Sequence, residues 1–236
     1  MRFHMHGHSL ELAYTEAVKP TPFSLFLANA MELRSSDLRS CDLGTGSGIL
    51  AIALALMGAE RVVAVDRCAD ACALALENAE RNGVANRIEF VTAELAEFDC
   101  GGDFDLVVAN PPTMPAAAET PDYAVGPTTA GLGFVDLLVA GLPGWLGDSG
   151  RAQLVLSSLV LEEILSDLRS AALDCRPLAS MLVPFRDFYL TAYGPDQLEE
   201  FVVEGRALRD GPPVSGELSE LITVYEVACP GPAADQ

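Results

Sequence analysis

From Leu38 onward, the hydrophobic and polar positions of this 236-residue chain alternate between two rhythms. Arg61-Val62-Val63-Ala64-Val65, Ile88-Glu89-Phe90-Val91 and Phe104-Asp105-Leu106-Val107-Val108-Ala109 read as strands, and Arg39-Ser40-Cys41-Asp42 ends an earlier one. Between them lie stretches with helical spacing. Residues 47–57 are apolar nearly all round and are expected to be buried, and 69–82 are stopped by Gly83. A helix over 131–146, a strand over 152–156 and a helix over 160–172 complete five repeats. Alternation at this spacing implies right-handed crossovers and a mostly parallel sheet covered on both faces.

After Pro177 the rhythm changes. Residues 178–183, 188–193 and 221–228 read as strands without a crossover helix between each pair, so the sheet edge is expected to be antiparallel, with seven strands in all. Residues 194–220, with Gly211-Pro212-Pro213, read as a loop-rich insertion. At the other end, residues 1–20 lack clear periodicity, and Pro20 and Pro22 bracket a turn into an apolar helix that starts Phe23-Ser24-Leu25.

Charge narrows the possible partners. The formal net charge is −20, Lys19 is the only lysine, and the arginines are scattered singly. Binding a nucleic-acid backbone depends on Lys and Arg, so nucleic acid is not an expected partner unaided. Cys41, Cys68, Cys72, Cys100, Cys175 and Cys229 form no Cys-x-x-Cys pair and read as reduced thiols, with no metal implied. No secretory pattern opens the chain, and the longest apolar run, 49–59, falls short of the about 20 residues that span a bilayer. A cytoplasmic protein without membrane association is expected.

The candidate chemistry begins at Asp42-Leu43-Gly44-Thr45-Gly46-Ser47-Gly48, between a strand and a helix. Glycines there let the chain turn tightly and let a ligand approach the main chain. Ile49 stands where the dinucleotide fingerprint needs glycine, and no Lys-Ser/Thr pair makes a P-loop. A carboxylate at Asp42 repels a pyrophosphate and attracts a cation, which suits S-adenosylmethionine with its ammonium and sulfonium. Thr45 and Gly48 shape the same loop. Asp66, with Arg67 after it, ends the second strand where a ribose diol is held, and Glu94 follows the third strand near an adenine position. The plainer alternative is that these acids only cap helices.

Asn110-Pro111-Pro112-Thr113 follows the fourth strand directly. Pro111 forces Asn110 to be extended, and neither proline offers an N–H. The loop therefore presents acceptors, the Asn110 side-chain oxygen and the Pro111 carbonyl, which suit an NH2 held in line with a methyl donor. The plainer alternative is a rigid turn.

These three motifs together resemble class I methyltransferases of the HemK/PrmC type, over roughly residues 20 to 175. The resemblance implies a Rossmann-like single domain: a lid or helix region at 1–37, a core at 38–175, and edge strands at 176–236 with an insertion at 194–220. It implies S-adenosylmethionine contacts at Asp42, Gly44, Gly46, Asp66 and Asn110, and transfer of a methyl to the side-chain nitrogen of glutamine. The segment 126–132 is similar in place to the loop leading into the family's next helix, and the helix opened by Pro22-Phe23-Ser24 to one that closes over the cofactor. Thr113 stands where the family has Tyr or Phe, which removes ring stacking worth about 1 kcal/mol.

The acceptor is therefore expected to be a protein amide or a small-molecule amine. The alternatives are non-methyl chemistry on S-adenosylmethionine, nucleic-acid base N-methylation, and a non-catalytic subunit. A homodimer or a small partner subunit fits the resemblance.

His4, His6 and His8 alternate as strand residues facing a metal would, but no further ligand is near them in sequence, and a plain mobile tail is the expectation. Tyr14, Tyr123, Tyr189 and the stretch Phe185-Arg186-Asp187-Phe188-Tyr189 offer acceptor contacts or ordinary packing, and Trp145 reads as core.

Overall fold

The computed structural model describes residues 1–15, 18–35, 37–99, 101–112, 133–185, 187–211 and 216–230. In chain order the first elements are β1 (Arg2–Met5), β2 (His8–Glu11), α1 (Pro22–Ala30), β3 (Arg39–Leu43), α2 (Ile49–Met57) and β4 (Arg61–Asp66). Next come α3 (Ala69–Arg81), β5 (Ile88–Thr92), β6 (Phe104–Ala109), α4 (Phe134–Trp145) and β7 (Leu146–Ser157). The chain continues through α5 (Leu161–Ser170), β8 (Asp174–Pro184), α6 (Asp187–Ala192), α7 (Pro195–Val203), β9 (Ala207–Asp210) and β10 (Glu217–Ala228).

Seven strands lie side by side in the order β5-β4-β3-β6-β7-β10-β8, and β9 pairs with β10 off that path. From β5 to β7 the pairs are parallel, and every pair made by β10 is antiparallel. The mostly parallel sheet with an antiparallel edge matches the expectation, but β9 brings it to eight strands rather than the seven expected. The strand order reverses between β3 and β6. Open α/β sheets bind ligands at the carboxyl ends of the strands flanking such a reversal. Those ends carry the glycine loop and Asn110.

β6 shows how the sheet is held. Leu106 and Val108 face a cluster formed with α1, α2 and the N-terminal hairpin. Val107 and Ala109 alternate into a second cluster, with α4 and α5. All four are 0 % exposed, and a buried Val or Leu contributes about 1.5–3 kcal/mol. Two-sided burial explains why this strand reads as a continuous apolar run.

The segment between α1 and β3 is tied to the antiparallel edge by charge. Asp37 and Arg151, each 2 % exposed, form a two-pronged ion pair at 2.5 and 2.7 Å, and Arg151 Nε reaches Glu226 at 2.9 Å. Gln153 exchanges hydrogen bonds with the backbone of Glu32. Burial works to raise the Glu226 carboxyl, but Arg176, Arg34 and Arg151 together hold it below its ordinary value.

Three expectations are corrected. The N-terminal residues form the antiparallel hairpin β1–β2 rather than a loose tail, with Met5 and Leu10 buried in the α1/α2 cluster. His6 lies in its turn with φ 47° and bonds the carbonyl of Ala28 at 2.9 Å, so His4, His6 and His8 do not share a strand face. Residues 188–193, expected as a strand, fall largely within helix α6. Their aromatic composition suggested a strand, but Tyr189 and Tyr193, four apart, are both 1 % exposed, which is a helical period.

The third correction concerns 194–220, which holds α7 and β9 rather than loop alone. Leu159, Tyr189, Tyr193, Phe201 and Ala207 form a small apolar cluster of their own there. Ser157, the last residue of β7, pairs with Ile222, and the start of β10 extends beyond it to meet β9. This cluster therefore stands at the carboxyl end of β7, the same edge of the sheet as the candidate site. Among the described residues, no helix is long and apolar enough to cross a membrane.

Candidate cofactor and acceptor site

After β3 the chain turns through three glycines with positive φ: Gly44 at 75°, Gly46 at 52° and Gly48 at 81°. The N–H groups of Gly44 and Thr45 both bond the carbonyl of Val65 in β4, at 2.8 and 2.9 Å, which anchors the loop to the neighbouring strand. Gly48 caps α2, and a Cβ there would lie 3.0 Å from that of Ala75 in α3. Glycine thus lets α2 and α3 meet closely. A Cβ on Gly44 would lie 3.4 Å from the ring of Phe134, which places the first residue of α4 against the loop.

Asp42 is fully buried. Its Oδ2 accepts from the Thr45 hydroxyl at 2.7 Å and from the Ala51 N–H at 3.1 Å, while Oδ1 is buried with no partner. Burial pushes the carboxyl from 3.8 up to about 7, against those two hydrogen bonds, with the charge of Asp66 adding to the rise. Asp42 thus caps α2 with one oxygen and leaves the other open. Its charge near neutral pH is conditional, which modifies the simple expectation of a fixed carboxylate.

Asp66 is half-buried at the end of β4. Its Oδ2 accepts from the Gly46 N–H and its Oδ1 from the Cys68 N–H, both at 2.9 Å. These bonds hold the carboxylate across the crevice and leave further lone pairs on both oxygens. Arg67 beside it is exposed, and so is Glu94, which opens a short 3-10 turn just past β5.

Asn110 follows β6 directly. Its Nδ2 donates to the Thr21 hydroxyl at 3.2 Å, and its Oδ1 is buried without a partner. Pro111 is buried and Pro112 half-buried. Thr113, Tyr123 and the segment 126–132 lie outside the described residues. So does Arg186.

The glycine loop, Asp42, Asp66 and Asn110 therefore all stand at the carboxyl edge around the strand reversal. Two buried, unpartnered carboxyl or amide oxygens at such a place call for donors from a ligand. The residues fit S-adenosylmethionine: an acid free at one oxygen for an ammonium, a second acid for a diol, and a loop with little side chain in the way.

Three contributors were missed from sequence. Thr21 caps α1 and reaches Asn110. Phe134 borders Gly44. Asn78, 0 % exposed on α3, donates to the carbonyls of Ser47 and Ala13 and accepts from the Ala13 N–H. Of these, only Asn78 left a signal, as a lone amide on an alanine-lined helix face.

A family profile described as ribosomal protein L11 methyltransferase matches residues 20–112. A chain from Methanocaldococcus jannaschii, assigned as a protein N5-glutamine methyltransferase, is 30% identical over 79% of this chain and 95% of its own length. The chain belongs to the class I, S-adenosylmethionine-dependent methyltransferases of the HemK type. A release factor glutamine methyltransferase of Chlorobaculum tepidum is 48% identical to this methyltransferase, over 39% of the chain and only 36% of its own length. A ribosomal protein L11 methylase structure from Lactobacillus delbrueckii subsp. bulgaricus superposes with a TM-score of 0.50 at 25% identity, covering 86% of this methyltransferase and 75% of that chain. The chain is an enzyme that transfers methyl groups.

Proposed function

We propose that this enzyme methylates the side-chain nitrogen of a glutamine in a protein substrate. The observation that carries the reading is the buried, unpartnered Oδ1 of Asn110 beside the glycine loop. An amide NH2 has two hydrogens to place, and Asn110 Oδ1 and the Pro111 carbonyl accept both. The nitrogen lone pair is then left facing the methyl group. S-adenosylmethionine supplies that methyl on an electrophilic sulfonium.

On this reading Asp42 Oδ1 accepts from the cofactor's ammonium, Asp66 holds the ribose diol, and Glu94 borders the adenine with Arg67 at the rim. Gly44, Thr45, Gly46 and Gly48 form the floor. Pro111 and Pro112 keep the acceptor loop stiff. As the amide nitrogen gains the methyl it gives up one proton to water, so the site works mainly by orientation. The match to L11 methyltransferases ends at Pro112 and so concerns the cofactor half, whereas the archaeal glutamine methyltransferase aligns with most of the chain. That difference favours glutamine as the acceptor.

The test is to incubate the chain with methyl-labelled S-adenosylmethionine and either a release factor or ribosomal protein L11, then map the label by mass spectrometry. N5-methylglutamine is the expected product. Label on L11 amino groups alone, or cofactor consumed without S-adenosylhomocysteine, would overturn the reading.

A further inference from the structure

We propose that Thr21 is a positioning residue for methyl transfer, its hydroxyl fixing which way the Asn110 amide faces. The inference rests on reading Asn110 Oδ1 as the oxygen that receives the acceptor.

The Ser24 hydroxyl accepts from the Thr21 N–H at 2.9 Å and donates to the Thr21 carbonyl at 3.1 Å. We assign the donor of the 3.0 Å contact between the two hydroxyls to Thr21, because the Ser24 proton is directed at the Thr21 carbonyl. One lone pair of Thr21 Oγ1 takes the Ser24 N–H at 3.1 Å. The other faces Asn110 at 3.2 Å. A hydroxyl with its proton committed can only accept there, so Asn110 must present NH2 to it. The amide is planar, and Oδ1 is turned the opposite way, where it is buried and unpartnered.

With the opposite flip, Asn110 would set an oxygen against a lone pair and an NH2 against the incoming NH2. Both contacts are repulsive. The cap of α1 thus does more than start a helix, because its spent proton sets the polarity of the acceptor site.

Two cofactor analogues test this without any methyl acceptor. Sinefungin carries an amine in place of the methyl sulfonium of S-adenosylmethionine, whereas S-adenosylhomocysteine has neither amine nor methyl at that place. Calorimetry gives the ratio of their affinities, which a general loss of α1 stability leaves unchanged. The wild-type chain is expected to prefer sinefungin through Asn110 Oδ1. Asn110→Ala should abolish that preference, Thr21→Val should cut it by about tenfold, and Thr21→Ser should keep it. Ser24→Ala leaves Thr21 as the cap but frees its proton, and should also cut the preference, which covers a Thr21→Val chain that does not fold. If Asn110→Ala leaves the ratio unchanged, the reading of Asn110 fails, and this inference with it. If Asn110→Ala abolishes the preference while Thr21→Val and Ser24→Ala weaken both ligands equally, Thr21 is a helix cap alone and the proposal is overturned.

Discussion

The side-chain amide of Asn78 donates to the carbonyl of Ser47 across 2.9 Å, joining the last turn of α3 to the glycine loop. The same side chain exchanges two hydrogen bonds with the backbone of Ala13. One buried amide thus braces the loop and the segment leading from the N-terminal hairpin.

Asn78→Ala strands three backbone groups in or near the interior. Each costs roughly 1–3 kcal/mol when left unmade. Two of the three are only partly buried, so a loss near the low end, about 3 kcal/mol in urea unfolding, is expected, together with weaker binding of S-adenosylhomocysteine. Unchanged affinity would mean that the loop keeps its shape without the brace.

The two glycine ends of the loop should respond differently to alanine. At Gly48 both the φ of 81° and the 3.0 Å approach to Ala75 oppose a side chain, so Gly48→Ala should lower stability. At Gly44 the neighbour is a Phe134 ring at 3.4 Å, an ordinary contact distance. Gly44→Ala should therefore mainly reduce cofactor affinity, with only the roughly 1 kcal/mol cost of a positive φ in stability. Thermal melts with and without ligand separate the two effects.

Burial of Asp42 ties both stability and ligand affinity to pH. Its folded pKa of about 7 exceeds the ordinary 3.8, so the empty protein holds the proton more tightly folded than unfolded. Stability without ligand is therefore expected to fall as pH rises from about 4 to about 7. A bound ammonium favours the ionised acid, so ligand binding expels the proton. Affinity for S-adenosylhomocysteine should strengthen with pH, by up to about tenfold per unit below 7, and level off above. Asp42→Asn should bind more weakly with a flat profile in this range. A wild-type profile equally flat would sink the assignment.

Arg151 lies between two acids at the antiparallel edge. Arg151→Met leaves Asp37, 2 % exposed, without its two-pronged partner, and takes one of three arginines from Glu226. Breaking a buried pair on one side costs about 3–5 kcal/mol, which chemical denaturation would read directly. Because the Glu226 carboxyl is held below its ordinary value, its contribution is present above pH 4.5 and lost as pH falls below that. The variant should accordingly lose less stability on acidification than the wild type.

Local rhythm carried the central strands and their helices. Phe104–Ala109 has the predicted bounds, because a strand buried on both faces must be apolar throughout. The glycines and acids were readable because each sits at a strand end, where backbone geometry restricts the choice of residue. What sequence hid was long-range pairing. Thr21 and Asn110 are 89 residues apart, and no local pattern tells a helix cap that also holds a second amide from one that does not. The hairpin at the N-terminus was hidden because a four-residue strand is too short to show a period.

Tyr189, Tyr193 and Phe201 belong to a small cluster apart from the two main cores. It packs on its own apolar residues, between two neighbouring strands of the antiparallel edge, while the cofactor loop is held by β3, β4 and α3. A change inside this piece therefore leaves the supports of the cofactor loop in place. The same sheet edge thus carries two units that can vary independently of one another.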